Sequence, residues 1–267
     1  MYDYHVHSSF SGDCKYSMED MLKGALERNI KTLSFTDHID YDYGKAQLDF
    51  VFDTDDYFKE LKRLKSNYKG KIEILSGVEL GMQPHLVRNI NKKIKLDEFD
   101  FVIMSIHTVM GHEMHEGELY KDRDLLDAYF LYYDEMLEVL ENFNDFDVVG
   151  HINLIDRYIG HMNNQSVEFQ EYRELLEKVF EKIISKEKGI EINASGFRYG
   201  IDSFHPSLEI LSLYKKLGGE IITIGSDAHS PEYIGYKYEE AVQLLRELGF
   251  KYITTFKNRK KQFIKIE

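Results

Sequence analysis

The 267-residue sequence contains a single cysteine and only three prolines. With Cys14 as its only thiol, the chain can form neither an intramolecular disulfide nor a zinc site built from several cysteines. Any metal site must therefore use nitrogen and oxygen ligands. Because few prolines interrupt the chain and 43% of its residues are hydrophobic, we expect one large α/β domain covering residues 1–267.

The sequence also lacks long apolar runs and excess positive charge. No apolar stretch reaches the roughly 18 residues of a membrane span, and the opening MYDYHVHSS has no signal-peptide character. A cytoplasmic protein is expected. The formal net charge of -13 disfavours nonspecific binding to nucleic acid or to anionic membranes. We therefore expect a small-molecule substrate.

Apolar runs rich in β-branched and aromatic residues alternate with helical patterns. Strands are predicted at residues 2–6, 32–36, 72–79, 101–107, 147–151, 190–193, 221–227 and 252–256. Helices are predicted at residues 17–29, 55–68, 125–142, 169–188, 206–217 and 232–248. Such repeated βα units close into a barrel of parallel strands. Long loops at 39–54 and 108–123 are expected to cover the site and to distort the barrel.

Residues that bind divalent metals lie at or just past the ends of the predicted strands. In a barrel of βα units, the loops that follow the strands carry the active site. Buried imidazoles and carboxylates are costly unless a cation pairs with them, so the pattern predicts a polynuclear metal centre at one mouth of the barrel. These residues are His5, His7, His38, Glu79, His107, His151, Asp227 and His229.

The local spacing supports this interpretation. His5 and His7 point the same way on an extended strand, because side chains alternate with a period of two. Glu79 ends an apolar run, where a carboxylate that bridges two cations would be stabilised. Asp227 and His229 share one side if their strand continues. Any one of these residues alone could be a structural core residue, but the repetition favours the metal site.

Five further histidines occur in contexts typical of loops or helix starts. We expect them to lie at the surface, with His112 and His115 as candidates for substrate contact. Cys14 is interpreted as inert, because a metal-activated water needs no side-chain nucleophile. The five histidines are His85, His112, His115, His161 and His205.

Together, HVH at 5–7, TDH at 36–38, Glu79, His107, GH at 150–151 and SDAH at 226–229 resemble the polymerase and histidinol phosphatase (PHP) superfamily. The resemblance covers nearly the whole chain and implies a distorted (β/α)7-type, TIM-like barrel with a trinuclear metal site. Nitrogen and oxygen ligands admit Mn, Fe, Zn and Co, and we expect two or three divalent ions, Mn, Fe or Zn. The resemblance implies a first ion on His5, His7, Glu79 and Asp227, a second on Glu79, His107 and His151, and a third on Asp13, His38 and His229. Asp13 departs from the pattern, because many members have histidine there.

Within the superfamily, the likeness is closest to the histidinol phosphatases. These pair an arginine after the GH motif with another after the following strand, as Arg157 in GHINLIDR and Arg198 in IEINASGFR do here. Guanidinium groups match phosphate oxygens, so both arginines are predicted to bind a phosphomonoester. The expected reaction is hydrolysis of L-histidinol phosphate to L-histidinol and phosphate. Asp13, His38 or a third ion would assist the leaving alkoxide.

Two acidic and aromatic segments, 40–52 and 112–120, are candidates for binding the imidazole and amino ends of the substrate.

The sequence also admits alternative functions. A PHP-type phosphoesterase acting on nucleotides or nucleic-acid ends is one alternative, suggested by the basic residues at 257–261. A binuclear amidohydrolase fits Glu79 and SDAH poorly. A non-catalytic metal-binding regulatory module is the alternative outside enzymes.

Overall fold

Strands and helices alternate along the chain in the predicted order. A computed structural model describes residues 1–44, 48–121, 123–159 and 167–266. The strands are β1 (Tyr2–Val6), β2 (Thr32–Phe35), β3 (His38–Tyr43), β4 (Leu48–Phe50), β5 (Glu73–Gly81), β6 (Phe101–Ser105), β7 (Thr108–Val109), β8 (His112–Glu113), β9 (Val148–Val149), β10 (Gly189–Asn193), β11 (Ile222–Gly225), β12 (Tyr252–Lys257) and β13 (Lys260–Lys265).

The helices lie between the strands and pack around the sheet. They are α1 (Met18–Glu27), α2 (Thr54–Asn67), α3 (Ile90–Lys93), α4 (Leu125–Asn142), α5 (Asp156–Ile159), α6 (Phe169–Ser185), α7 (Leu208–Lys216) and α8 (Tyr238–Glu247). Short 3-10 turns occupy Pro84–Leu86, Leu96–Glu98, Met114–Glu116, Ala194–Phe197 and Pro231–Tyr233. Within the described ranges, no helix is both long and apolar enough to cross a membrane.

The main sheet follows the order β1-β2-β5-β6-β9-β10-β11. Every neighbouring pair along this path is parallel. A parallel bridge between Val6 and Ala228 brings the first strand beside the segment that follows β11, so the sheet nearly closes. The predicted distorted seven-stranded barrel is confirmed.

Helix α1 shows how the sequence specifies these elements. Ser17 precedes the helix, and its hydroxyl accepts a hydrogen bond from the Asp20 amide at 3.1 Å, as expected for a helix N-cap. Met18, Leu22 and Ala25 are buried on one face. Their spacing of three to four residues is that of an amphipathic helix, so the predicted start and inner face are both confirmed.

The second barrel strand is broken at residues 36 and 37. β2 and β3 lie on either side of the break, and both pair in parallel with β5. The buried Asp37 carboxylate accepts hydrogen bonds from the backbone amides of Ser8, at 2.6 Å, and Ser11, at 3.1 Å. These bonds tie the break to the segment that follows β1, and they fix the chain just before His38.

The two segments predicted as loops contain short antiparallel hairpins. β3 pairs with β4 in the first, and β7 pairs with β8 in the second. Both predictions were therefore wrong in detail, because cross-strand hydrogen bonds satisfy much of the backbone locally. Residues 45–47 of the first segment lie outside the described ranges.

The eighth predicted strand forms but does not enter the barrel. β12 pairs antiparallel with β13 in a separate hairpin, because the Val6–Ala228 bridge already occupies the seam of the barrel. This hairpin contacts the amino-terminal end of the strands: the backbone amides of Asn258 and Arg259 donate to Asp100, just before β6. The predicted strand at 252–256 is therefore confirmed, and it lies outside the seven-stranded barrel.

Tyr4 ties the hairpin to the barrel. Its buried hydroxyl donates to the Phe256 carbonyl at 2.9 Å and accepts from the Phe256 amide at 3.0 Å. In Tyr4→Phe both backbone groups lose their partner, so we expect the free energy of unfolding to fall by about 2 kcal/mol. Urea unfolding would measure this change. Tyr252→Phe, at an exposed position of β12, is the control, and equal unfolding midpoints for both variants would contradict the prediction.

Candidate metal centre

A cavity of about 820 Å³ opens at the carboxyl ends of the barrel strands. The predicted metal ligands converge there: seven of them line the cavity, and the fully buried His5 and His7 lie against them. The seven lining residues are Asp13, His38, Glu79, His107, His151, Asp227 and His229.

Glu79 lies at the centre of the cluster. One carboxylate oxygen is 3.2 Å from His5 Nε2 and 3.5 Å from His7 Nε2. The other is 2.7 Å from His151 Nε2 and 3.1 Å from His107 Nε2. The first of these oxygens also lies 3.1 Å from His38 Nδ1. The two oxygens thus face two different sets of imidazoles, which is the arrangement that a bridging carboxylate requires.

Asp227 and His229 reach the cluster by a different route from the one expected. β11 ends at Gly225, and Asp227 has a φ of 54°, so the strand does not continue through these residues. Asp227 Oδ1 nevertheless lies 3.4 Å from His7 Nε2. Aspartate tolerates this left-handed backbone better than most residues, and the turn aims its carboxylate into the cavity.

A third group of ligand atoms lies nearer the mouth of the cavity. His229 Nε2 is 3.0 Å from Asp13 Oδ2, and His38 Nε2 is 3.7 Å from the same oxygen. The rings of His7 and His229 stack with centroids 4.0 Å apart. Ligand atoms from His7, Asp13, His38 and His229 all lie within 4.8 Å of one another, and this set includes the three residues predicted for a third ion.

The hydrogen bonding of the cluster fits bound cations. Within the described residues, four buried atoms of the cluster form no hydrogen bond: Nδ1 of His38 and His151, Oε2 of Glu79 and Nε2 of His229. An unsatisfied buried polar atom costs about 1–3 kcal/mol. The nitrogen and carboxylate oxygen donors are those that bind Mn, Fe and Zn, so the residues present fit divalent metal ions.

The electrostatics of the cluster keep its carboxylates ionised. Burial alone would raise the pKa of Glu79, but the imidazoles of His5, His107 and His38 hold it well below its usual range. The pKa of Asp227 is likewise held well below normal, against the effect of burial, by the charge of His5 and by the contact with His7. For His7, burial and the neighbouring His229 lower the pKa, so its ring is neutral. Ionised carboxylates are the form that binds metals. The same carboxylates raise the pKa of His5 and His38 well above the usual range and that of His107 to about 9, against the effect of burial, so metal binding would release protons from these imidazoles.

Sequence reasoning missed the residues that hold these ligands in place. Asp40 Oδ1 is 2.6 Å from His107 Nδ1, and Glu191 Oε1 is 2.7 Å from His5 Nδ1. The Ser105 hydroxyl donates to Glu79 at 2.7 Å. A signal for Glu191 was present, because it interrupts the apolar strand β10 as Glu79 interrupts β5.

The structure places the two predicted phosphate-binding arginines differently. Arg157 lines the cavity, where its guanidinium lies 3.3 Å from Asp227 Oδ2 and 4.1 Å from the Tyr199 ring centroid. The guanidinium of Arg198 donates to the backbone carbonyls of Ser226, at 2.9 Å, and Asp227, at 2.7 Å. Only Arg157 is brought to the cavity wall. Phosphate binding by either residue stays a prediction.

The remaining histidines differ in how far they are exposed to solvent. His85 and His115 are exposed, as expected, and His115 also lines the cavity. The surface prediction for His205 was wrong: its ring is fully buried, and its backbone forms two hydrogen bonds with Asn193. This backbone bridge anchors the loop after β10 inside the protein. His112 is partly buried, and His161 lies outside the described residues.

Cys14 shows no sign of activation. Its buried Sγ lies 3.3 Å from the carbonyl oxygen of His229. Burial raises the pKa of the thiol to about 11. A neutral thiol is a poor nucleophile, which agrees with the interpretation of Cys14 as inert.

Comparison with known proteins defines the class to which this site belongs. Residues 3–195 match the PHP domain model, so the chain belongs to the PHP domain family. The predicted family is thus confirmed. Asp227 and His229 lie beyond the matched residues.

The relatives are similar over nearly their whole length. The chain is 33% identical to a histidinol-phosphatase of Lactococcus lactis, over 97% of this chain and 95% of that protein. It is 31% identical to a probable histidinol-phosphatase of Clostridium acetobutylicum, over 94% of this chain and 95% of the relative. The crystal structure of histidinol phosphate phosphatase from L. lactis, in complex with zinc, L-histidinol and phosphate, matches with a TM-score of 0.88 and 30% identity over 98% of each chain.

Proposed function

We propose that this protein is a histidinol-phosphatase, a metal-dependent phosphomonoesterase of histidine biosynthesis that hydrolyses L-histidinol phosphate to L-histidinol and phosphate. The observation that carries the proposal is the convergence of the predicted metal ligands on one cavity that Arg157 also lines. Similarity to histidinol-phosphatases over nearly the whole chain supports it.

The ligand geometry supports two or three divalent ions, Mn, Fe or Zn. When bound, such ions neutralise charge on the phosphate and lower the pKa of water towards neutrality. The distances suggest a first position at His5, His7, Glu79 and Asp227, a second at Glu79, His107 and His151, and a third at Asp13, His38 and His229.

Arg157 is the residue that orients the phosphate in this proposal. Its planar guanidinium can donate two parallel hydrogen bonds to phosphate oxygens. Asp227 and the Tyr199 ring, whose centroid is 4.1 Å away, hold the guanidinium in place. An arginine held in this way loses less conformational freedom when the phosphate binds.

Asp13 and His38 are proposed to assist the leaving alkoxide. Although burial opposes it, the neighbouring imidazoles of His229 and His38 hold the pKa of Asp13 far below its usual range. Asp13 is therefore an acceptor and not a proton donor. In a centre with only two ions, the protonated imidazole of His38 donates the proton, and the Asp13 carboxylate, 3.7 Å from Nε2, favours the charged form of the ring. With a third ion, both residues are ligands.

Two segments form the wall that would contact the rest of the substrate. Tyr43 and Phe50 come from the first predicted loop, and Glu113 and His115 come from the second. Aromatic faces and a carboxylate suit an ammonium or an imidazolium group. The cavity wall thus supports binding of the imidazole and amino ends of L-histidinol phosphate by these segments.

The position of the basic cluster favours a small substrate over a nucleic-acid end. Arg259 pairs with Asp147 at 2.7 Å, and Lys257 pairs with Glu73 at 2.7 Å. Both pairs lie at the amino-terminal end of the barrel, opposite the candidate site. Because the predicted ligands come from residues 5 to 229, we propose that residues 1–267 work as one domain. We also propose that this domain is cytoplasmic, as expected for an enzyme of amino-acid biosynthesis.

Phosphate release from L-histidinol phosphate by metal-reconstituted protein tests the proposal directly. A nucleotide monophosphate and an aryl phosphate serve as comparison substrates. We expect a strong preference for L-histidinol phosphate. A preference for the nucleotide would replace the proposed substrate with that of the alternative phosphoesterase, and metal-loaded protein without activity on any of them would favour the regulatory module.

Replacing Arg198 separates two roles for its guanidinium. As a phosphate ligand, Arg198 would contribute a charge-assisted hydrogen bond of about 1.5–3 kcal/mol. We therefore expect Arg198→Ala to lower kcat/KM by roughly 10- to 100-fold while the metal content stays unchanged. Steady-state kinetics and elemental analysis measure the two quantities.

Arg198→Lys is the matched control, because it keeps the charge and loses the planar fork. We expect it to recover part of the lost kcat/KM. Loss of metal from Arg198→Ala would contradict a phosphate role and show that Arg198 positions Asp227 through the two carbonyl contacts.

A further inference from the structure

The Glu191 side chain is completely enclosed within the barrel. It projects from β10, between the neighbouring strands β9 and β11. A buried carboxylate is costly unless its oxygens are hydrogen-bonded. The partners of Glu191 therefore indicate why the strand carries a charge.

One oxygen of Glu191 contacts a predicted metal ligand. Glu191 Oε1 lies 2.7 Å from His5 Nδ1, while His5 Nε2 faces Glu79 at 3.2 Å and His7 Nε2 at 3.0 Å. A carboxylate accepts and cannot donate. The short contact therefore places a proton on His5 Nδ1 and makes Nε2 the ring nitrogen that can bind a metal ion.

The other oxygen of Glu191 contacts the backbone of His151, a predicted ligand of the second ion. Glu191 Oε2 accepts hydrogen bonds from the His151 amide and from Asn193 Nδ2, each at 3.0 Å. A Cβ atom on Gly225 would lie 2.0 Å from Glu191 Oε1, so the absence of a side chain at Gly225 makes room for the carboxylate. The carboxylate is held on several sides.

We infer that Glu191 is a positioning residue that sets the His5 tautomer and links the two predicted ion positions through His5 and His151. The inference rests on the metal centre under the proposed function. Imidazole ligands of metals commonly donate their other N–H to a carboxylate, which fixes the ring and raises its basicity.

An amide at this position would be unable to reproduce the contacts. If the NH₂ group of Glu191→Gln faced His5, it would require Nδ1 as an acceptor and move the proton to Nε2. If the NH₂ group faced the other way, it would meet two donors, the His151 amide and Asn193 Nδ2. Either orientation disturbs a predicted ligand while the side-chain volume stays almost constant.

Zinc affinity is the first test of Glu191. The dissociation constants of the protein for Zn²⁺, measured by competition with a chromophoric chelator, are compared between the wild type and Glu191→Gln. We expect the affinity of at least one zinc site to fall by about 10- to 100-fold. Zinc binding by Glu191→Gln that is as tight as that of the wild type would overturn the inference.

Asp147→Asn is the matched control for general loss of stability. Asp147 is also a buried carboxylate, and it bonds the Val102 amide and Arg259 at the opposite end of the barrel. We expect this variant to lose stability and to keep its zinc affinity. An equal loss of zinc affinity in both variants would mean that Glu191 acts only through stability, which overturns its role as a positioning residue.

The second test measures the tautomer in the wild-type protein and uses a variant only to assign a signal. In zinc-loaded wild-type protein labelled with ¹⁵N-histidine, NMR reports which ring nitrogen carries the proton, and the spectrum of His5→Asn assigns the His5 signal. We expect a protonated Nδ1, and a protonated Nε2 would overturn the inference. Zinc-loaded protein without phosphatase activity would refute the proposed substrate and leave both Glu191 tests intact.

Discussion

The Glu79→Gln variant is expected to lose at least one divalent ion and to release phosphate more than about a hundredfold more slowly than the wild type. This loss exceeds the roughly 10- to 100-fold typical of residues that only hydrogen-bond to a metal ligand. The reason is the position of the carboxylate between His5 and His7 on one side and His107 and His151 on the other. The amide that replaces it has one oxygen and no charge, so it cannot bridge two cations.

Elemental analysis of the purified variant and an assay at saturating metal would measure the two effects. Glu73→Gln is a suitable control, since Glu73 is an exposed residue at the start of the same strand. We expect the control to keep both metal and activity. Full metal content together with full activity in Glu79→Gln would refute the bridging role.

Arg157→Ala is expected to lower kcat/KM for L-histidinol phosphate by about 100- to 1,000-fold, because two charge-assisted hydrogen bonds to phosphate contribute roughly 3–4 kcal/mol. Inorganic phosphate should also inhibit the variant less strongly. The metal content should stay close to that of the wild type, because Arg157 and the metal ligands contact different oxygens of Asp227. Arg157 contacts Oδ2, whereas Oδ1 lies towards His7.

Arg157→Lys keeps the positive charge and removes the planar fork, so it should fall between the wild type and Arg157→Ala. Competitive inhibition by phosphate and steady-state kinetics would rank the three proteins. Unchanged phosphate inhibition in Arg157→Ala would exclude this arginine from the phosphate site and leave the metals as its main binding determinant.

The candidate ligands were predictable because strand periodicity and buried polarity are local signals. His5 and His7 follow from alternation along one strand, and Glu79 follows from an acid in an apolar run. The partners of these ligands were harder to predict. Asp40 and Glu191 contact His107 and His5 only after distant segments come together.

The errors have the same physical origin. His205 is followed by a helix in the sequence, which suggested exposure, but a backbone bridge to Asn193 holds it inside. The last predicted strand, β12, has the pattern of a barrel strand, yet it pairs with β13, the strand that follows it. The local pattern of apolar residues indicates that a strand forms. Its pairing partner depends on which strand edges are still unpaired in the rest of the fold.

The seam between the first and last barrel strands has a consequence for folding. Asp3 and Ser226, which bond across this seam, are separated by 223 positions in the sequence. Closing so long a segment carries an entropic cost that local contacts do not repay. The first predicted ion position lies just beyond these residues, with ligands from both chain ends. An ion held there would link the first strand to the segment after the last barrel strand, and its binding free energy would add to the stability of the closed barrel.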